Sequence, residues 1–590
     1  MEPSSVNTLG IYDGHLSTAA LLVDGRLSAM VSEERLTRHK NQGGPPERAI
    51  GWVLERAGIE GQAVDAVALA MITEPLTHWG EDLAQMRRKI FRAANALLPG
   101  TLVGSRLLLK PYILIYKHKR DWKGLNAALS RHGVSPALYK NNRVEHHLAH
   151  AAGAYFFSPF RSHEKPMLIV TADNSGDGIS ATVSLAHRGN IQRLHWIVSF
   201  HSIGELYIRV TELLGMRALE DEFKVMGLAP YAQPAQAERA YEVFACFFRS
   251  RVGGLTYRNV SGKWGPALRA ALHKQLERFR FDAIAAGMQR LLEEVVGNFV
   301  LAWVRKTGVA DVAVGGGVFM NVKLNMLLSR SPEIDRIFFM PSAGDESLAV
   351  GAAALSYARH CLAQNREIDI EPLTHLFWGP EYSDADVRAA LGPFADRLTW
   401  CEHNDIDSYV ARRLAEGDIV GRLAGRMEWG ARSLGNRAIL ADPRELKNVR
   451  RINLAIKKRD FWMPFAPSLL EECSGEYLDN PRGLDAPFMI NAFPSTDRAQ
   501  RDLPCGLHQY DLTCRPQIVK RCENPRYHRL LHEFHRLTGV GGVLNTSFNL
   551  HGEPIVCSPS DAIQTLLASD LDGLALESFY VRKRAAEPVA

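Results

Sequence analysis

Short apolar runs divided by turn-forming pairs dominate the first part of the chain. Thr8-Leu9-Gly10-Ile11 is a short, largely apolar run, residues 19–23 are apolar, and Asp24-Gly25-Arg26 separates that run from residues 27–32. Asp-Gly accepts the positive φ of a two-residue hairpin, so the pattern predicts strand, loop, strand, hairpin, strand. Residues 49–57 predict a helix and residues 66–71 a strand. Residues 80–125 read as a helical, basic, loop-broken insertion. The run over residues 167–172 predicts a buried strand ending at Asp173, and Thr182-Val183-Ser184-Leu185 follows a glycine-rich turn. Residues 266–306 are strongly helical in pattern. A strand over 312–314 runs into Gly315-Gly316-Gly317, with a helix from about Asn321, a strand over 337–340 and a helix over 346–361. Strand-to-glycine turns recur near 10–14, 174–178 and 315–317, which predicts two duplicated halves, each with a phosphate-facing hairpin. Pro372 and Pro380 punctuate a mixed stretch, so a linker is expected over 366–380, between domains at 1–365 and 381–590. The second α/β unit shows a helix over 409–416 and a strand over 419–423.

A chain of 590 residues with 46% hydrophobic and 23% charged residues fits a soluble globular protein of several domains. A net charge of +5 is too small over this length to imply a nucleic-acid partner. No basic start followed by an apolar core reads as a secretory leader. The apolar region 97–116 is broken by Pro99, Gly100, Arg106, Lys110 and Pro111, which argues against a membrane span. Eight scattered cysteines fit free thiols in a reducing cytoplasm. Cys505, His508, Cys514 and Cys522 match no zinc spacing.

The chemistry begins at Glu145-His146-His147-Leu148-Ala149-His150. On a helix His146 and His150 share a face, and two imidazoles on one face can hold one metal. A bare pair of this spacing is more often two surface or core histidines on a helix, so its companions decide. Asp173 stands where a strand ends, facing the crevice in which α/β ligands bind. It is the best third ligand. Asp345, in Gly344-Asp345-Glu346, precedes a helix; it caps that helix or completes an oxygen face on a metal. Three glycines at Gly315, Gly316 and Gly317 would let backbone N–H groups approach phosphate oxygens.

These motifs, with Ser32-Glu33-Glu34-Arg35-Leu36-Thr37-Arg38, Asp173-Asn174-Ser175-Gly176-Asp177 and Gly315-Gly316-Gly317-Val318-Phe319-Met320-Asn321, resemble in collinear order the NodU/CmcH family of O-carbamoyltransferases. The resemblance implies an α/β chain. An N-terminal actin-like (ASKHA) duplicated domain would be followed by a C-terminal YrdC-like domain. It implies that the C-terminal site makes carbamoyl-adenylate from carbamoyl phosphate and ATP, and that the N-terminal site passes the carbamoyl group to an acceptor hydroxyl. His146, His150, Asp173 and Asp345 would hold a divalent metal, iron first, with manganese or zinc also suited. His15 would take the acceptor's proton, and His147 would be structural. Gly176, the three glycines and Asn321 would lie on the nucleotide side. The family more often has Asp-Gly where this chain has Asp173-Asn174.

The C-terminal half carries its own signal. Gly425-Arg426-Met427-Glu428-Trp429-Gly430-Ala431-Arg432-Ser433-Leu434-Gly435-Asn436-Arg437 packs three arginines among glycines, and arginine's planar fork suits phosphate and carbamate oxygens. Arg426, Arg432, Ser433, Asn436 and Arg437 are therefore candidate ligands, as are Lys457 and Arg459 beside Trp462. Asn545, Thr546 and Ser547 leave a strand and could bind the adenylate; capping a turn is their plain alternative. The expected partner is a small hydroxyl-bearing natural product, as in antibiotic or toxin biosynthesis, with no nucleic acid and no membrane. A homo-oligomer is compatible with the sequence. Three rivals stand: a threonylcarbamoyl-type tRNA-modifying enzyme, an ASKHA-type small-molecule kinase, and a nucleotide-sensing regulator.

Overall fold

The computed structural model describes residues 5–73, 122–162, 164–457, 460 and 462–584. The region 74–121, with its basic cluster Tyr116-Lys117-His118-Lys119-Arg120 and most of the insertion read from the sequence, lies outside the described residues. The chain divides into two compact units, one of Met1–Glu33 with Asn41–Leu373, the other of Glu34–Lys40 with Thr374–Ala590. No strand or helix is formed between Ala363 and Asp384.

The first unit contains two five-stranded sheets. In one, β1 (Asn7–Tyr12), β2 (Thr18–Val23) and β3 (Arg26–Ser32) form an antiparallel meander. The turn between β2 and β3 has Asp24 at φ 48° and Gly25 at φ 79°, the two positive values that the Asp-Gly pair predicts. Helix α1 (Glu47–Ala57) follows, two residues longer than the apolar pattern because Pro46 precedes it, and it ends on left-handed Gly58. β4 (Ala66–Ala70) and β5 (Arg143–Val144) then add in parallel beyond β1.

The second sheet repeats this order. After α2 (His146–Phe156), β6 (Met167–Gly176), β7 (Ile179–His187) and β8 (Asn190–Val198) form the meander. Helices α3 (Ile203–Leu213) and α4 (Phe281–Thr307) come next. β9 (Asp311–Gly315) and β10 (Arg336–Phe339) then join in parallel beyond β6. Both sheets thus run third, second, first, fourth, fifth strand, the duplication that the recurrent glycine turns predict. Alanine-rich α5 (Leu348–Ala363), buried over nearly its whole length, completes this unit's core.

One sequence expectation is corrected here. The strand carrying Asp173 does not end there. β6 continues to Gly176, but its pairing with β7 is interrupted between Ala172 and Gly176. The irregularity takes Asp173, Asn174 and Ser175 out of regular register, which frees the side chain that a strand end would have freed.

In the second unit an eight-stranded mixed sheet is built from β11 (Leu398–Glu402), β12 (Val420–Leu423), β13 (Arg437–Ala441), β14 (Ala466–Leu470), β15 (Gln517–Val519), β16 (Gly542–Ser547), β17 (Gly573–Leu576) and β18 (Phe579–Lys583). Their spatial order is β11-β18-β17-β12-β13-β16-β14-β15. Alternation along the strands divides two cores: Ala438, Leu440 and Val543 belong to one, Ile439, Ala441 and Leu544 to the other, as a period of two requires for a sheet covered on both faces. Helix α6 (Ile406–Ala415) starts before the apolar pattern does, because the Asp405 side chain accepts the Ser408 N–H and caps it.

The segment Glu34–Lys40, which carries Arg35 and Arg38, belongs to the second unit. Arg38 donates to the carbonyls of Ile555 (2.6 Å) and Pro554 (3.0 Å), and Arg35 donates to the Gly430 carbonyl at 2.9 Å.

Candidate functional site

Helix α2 brings the imidazoles together, and its start is heavily fixed. The Glu145 side chain accepts the N–H groups of His147 and Leu148, and Asp177 accepts the His146 N–H at 2.9 Å. Asp177 also accepts from Ile72 N, Thr73 N and the Thr73 hydroxyl. The first-turn donors, which have no intrahelical partner, are thus satisfied by side chains. One turn apart, the rings of His146 and His150 lie with centroids 4.8 Å apart. Their Nε2 atoms stand 3.1 and 3.2 Å from Asp173 Oδ2, and 3.7 and 3.6 Å from Asp345 Oδ1. All four ligand atoms fall within 4.8 Å of one another.

The donor set fits one divalent ion. Two imidazole nitrogens and two carboxylate oxygens converge on one point, and their spacing leaves them around a shared centre. The His150 ring is held from behind, since its Nδ1 lies 3.3 Å from the Ser347 hydroxyl. Gly176 is required by this crowding: a Cβ there would stand 1.9 Å from Cγ of His146. Gly316, at φ 94°, turns the chain after β9 tightly against the carbonyl of Ala172, where a Cβ would come within 2.3 Å. Gly315 ends β9 and Gly317 begins a short 3-10 turn. Gly316 and Gly317 thus border the bulge carrying Asp173, while Gly315 faces the backbone of His150.

His147 belongs to the same turn but not to the cluster. Its Nε2 lies 3.0 Å from the Ile179 carbonyl, and its Nδ1 2.8 Å from the Thr171 hydroxyl. One nitrogen donates and the other accepts, so the ring sits as neutral imidazole. Burial, then its two histidine neighbours, hold its pKa well below the ordinary value. His146 behaves oppositely. Burial lowers its pKa, but Asp345 and Asp173 outweigh burial and hold it up at about 9. For His150, burial is likewise outweighed by hydrogen bonds to Asp173 and Asp345. Burial would raise Asp173, but its bonds to the two histidines keep it well below the usual carboxylate range.

Tyr12 and His15 form the outer edge. The Tyr12 hydroxyl donates to Asp345 Oδ2 at 2.6 Å, and His15 Nδ1 lies 3.5 Å from that oxygen. His15 retains 35% side-chain exposure where His146 and His150 have 1% and 0%. It is the histidine at this site that faces outward. Tyr12, Thr73 and Asp177 were not legible as site residues in the sequence. Their roles depend on partners up to 333 positions away, and only Asp177, lying in the Asp173 motif, had a local signal. Asn321 is spent structurally: its Oδ1 caps the following helix at Leu324 N, and its amide pairs reciprocally with Gln289.

In the second unit the arginine-rich loop is largely self-satisfied. Arg437 is fully buried and donates to the carbonyls of Cys557, Ala424, Gly425, Asn436 and Pro380. The fork that the sequence offered to phosphate is met here by backbone oxygens, which accept as phosphate does. Arg426 lies over Trp378 and donates to its carbonyl at 2.8 Å. Asn436 donates to the Arg426 carbonyl and accepts from Arg422 and Asn524. Ser433 is buried and donates to the Arg437 carbonyl; Arg432 beside it is half-buried. Asn545, Thr546 and Ser547 end β16, with Thr546 opposite Ile439 and Ser547 opposite Ala438. Lys457 closes a π-helical turn, Ile452–Lys457, and Arg459 lies outside the described residues. Buried Cys505 and Cys514 are free thiols whose pKa burial pushes up to about 12. No helix among the described residues is long and apolar enough to cross a membrane.

Comparison with known proteins agrees along the chain. Nodulation protein NolNO of Sinorhizobium fredii is 34% identical over 97% of this chain and 80% of its own length. Nodulation protein NolO of Bradyrhizobium diazoefficiens is 36% identical over 75% of this chain and 79% of its own. An uncharacterised Synechocystis protein is 32% identical over 97% and 95%. Solved structures resemble it only slightly: component A of the Acidaminococcus fermentans (R)-2-hydroxyglutaryl-CoA dehydratase has TM-score 0.33 and 17% identity, over 60% of this chain and 99% of that one. The model of the carbamoyltransferase N-terminus matches residues 7–354, spanning every residue of the histidine–aspartate cluster, and that of the carbamoyltransferase C-terminus matches residues 411–583. The chain accordingly belongs to the carbamoyltransferase family and is an enzyme of carbamoyl transfer.

Proposed function

We propose that this enzyme is an ATP-dependent O-carbamoyltransferase acting on a hydroxyl of a small natural product. The second unit, read as YrdC-like, activates the carbamoyl group, and the first, read as actin-like, transfers it. The observation that carries the reading is the buried cluster of His146, His150, Asp173 and Asp345 beside the outward-facing His15. The repeated strand order of the first unit supports the actin-like assignment.

The chemistry balances as follows. Carbamoyl phosphate loses its phosphate to water, leaving carbamate. A carbamate oxygen attacks the α-phosphorus of ATP, and pyrophosphate departs with the broken bond. The product, carbamoyl-adenylate, is a mixed anhydride. The acceptor hydroxyl then attacks its carbonyl carbon, and AMP leaves. A divalent cation held by His146, His150, Asp173 and Asp345 would supply electrophilic stabilisation of the nucleotide phosphate. His15 takes the acceptor's proton at the imidazole nitrogen not turned toward Asp345, a role open to the partly exposed histidine of the site. Tyr12 anchors Asp345 Oδ2, so that Oδ1 faces the two histidines.

The test is exchange of labelled pyrophosphate into ATP. Exchange that requires carbamoyl phosphate supports adenylate formation. Exchange without it, or none with it, rejects the reading. ADP as the product would instead favour a kinase, and copurified tRNA a tRNA-modifying enzyme.

A further inference from the structure

The two imidazoles of the cluster are held in different ways. His150 has the Ser347 hydroxyl 3.3 Å behind its Nδ1. The Nδ1 of His146 is buried and has no hydrogen-bond partner among the described residues. A ligating histidine ordinarily gives its second nitrogen to a carboxylate, a carbonyl or water, and that bond fixes the ring. At His146 the ring lies against Gly176 instead, where a Cβ would stand 1.9 Å from its Cγ. The polar restraint falls on the backbone.

His146 is the first residue of α2, so its N–H has no acceptor within the helix. Asp177 Oδ2 accepts it at 2.9 Å and accepts Ile72 N at 3.0 Å. Oδ1 accepts Thr73 N at 2.7 Å and the Thr73 hydroxyl at 2.8 Å. Asp177 is 2% exposed, so protein donors rather than bulk water hold the carboxylate. It is delivered by the tight turn between β6 and β7, where Gly176 pairs with Ile179 and Asp177 and Gly178 have φ of 51° and 80°. One carboxylate thus joins three segments: the chain leaving β4 of the first sheet, the hairpin of the second sheet and the start of α2.

We propose that Asp177 is a positioning residue that sets His146 in the cluster through its backbone N–H, with Thr73 fixing the carboxylate in turn. The proposal rests on the reading that His146, His150, Asp173 and Asp345 hold a divalent cation. It assigns to a backbone anchor the part that a ring partner plays at His150. In D177N one carboxylate oxygen becomes an NH₂ group. In either orientation of that amide, an N–H of the chain is left facing a donor, and the charge that gathered the donors is gone.

The experiment measures Mn²⁺ binding to the full-length protein by electron paramagnetic resonance of the free ion, in four proteins: wild type, D177N, H146A and the double variant. D177N is expected to raise the Kd about 10- to 100-fold in the presence of His146. In the H146A background the same substitution is expected to change the Kd less than about threefold, because two residues that act through one contact are not additive. T73V keeps the charge and removes one donor. It is expected to raise the Kd at least about threefold, again only with His146 present, and it decides the matter on the same criteria should D177N not fold. A Kd unchanged in both D177N and T73V overturns the proposal. So does an equal weakening with and without His146, which would assign Asp177 to the fold or to the field at the site. Wild type that retains neither Mn²⁺ nor Zn²⁺ refutes the underlying reading and is thereby distinguishable from failure of this proposal.

Discussion

Replacing Arg437 by lysine separates a structural arginine from a substrate-binding one. The guanidinium donates to five backbone carbonyls at 3.0 to 3.4 Å. Burial depresses its pKa, opposed by Glu428 and other acidic neighbours. Lysine has three donors on one nitrogen and cannot span the same fork, so at least two carbonyls lose their partner. A hydrogen bond from a charged donor contributes about 1.5–3 kcal/mol, and the two losses come to about 3–6 kcal/mol. For a unit of roughly 200 residues this corresponds to a fall of roughly 6–24 °C in melting temperature. Differential scanning calorimetry, with limited proteolysis to assign the transition, measures it. The expected result is a large loss in the transition of the second unit, with the KM for ATP and carbamoyl phosphate little changed in protein that remains folded. An unchanged melting temperature with a tenfold rise in either KM would refute the argument and return Arg437 to the phosphate site.

Other consequences follow from the same contacts. D173N removes the charge facing both imidazoles and is expected to abolish retention of a divalent metal through dialysis, measured by elemental analysis; retained stoichiometric metal would contradict the assigned ligand set. G176A places a methyl in the His146 ring, so a loss of about 1–3 kcal/mol is expected from overpacking, together with weaker metal binding by titration calorimetry; unaltered values would show that the ring can move. Glu523 tests pH linkage. Burial, with Asp485 and Glu471 adding and Lys520 opposing, lifts its pKa from 4.5 to about 7. Between those values the folded state binds more protons than the unfolded, so stability falls as pH rises from 4.5 to 7 and is flat above. E523Q should remove that slope, on the order of 1 kcal/mol after allowance for solvent screening, in denaturant melts at pH 5 and pH 8; an identical slope in both proteins would contradict it.

How legible each part was depended on the range of the interactions that fix it. The β2–β3 hairpin could be read because Asp24-Gly25 settles its own backbone. The histidine pair could be read because α2 sets a spacing of four by itself, and the outward histidine at position 15 came from the family resemblance. Asp173 was found for the wrong local reason: a pairing irregularity with β7, not the end of a strand, releases it. Tyr12 and Asp177 were missed because their partners lie on other elements, Asp345 for one and Ile72, Thr73 and His146 for the other. At Arg437 the sequence does not separate carbonyl from phosphate partners, because both oxygens make the same demand on a guanidinium and only burial distinguishes them. Asn321 shows the same ambiguity, since a cap and a ligand use the same amide.

The most direct measurement is the nucleotide product formed from ATP with ¹³C-carbamoyl phosphate and Fe²⁺ or Mn²⁺, followed by nuclear magnetic resonance. The account predicts AMP and pyrophosphate only when carbamoyl phosphate is present, with the label passing to an added acceptor hydroxyl as a carbamate ester. ADP as the product, or AMP formed equally without carbamoyl phosphate, would contradict it.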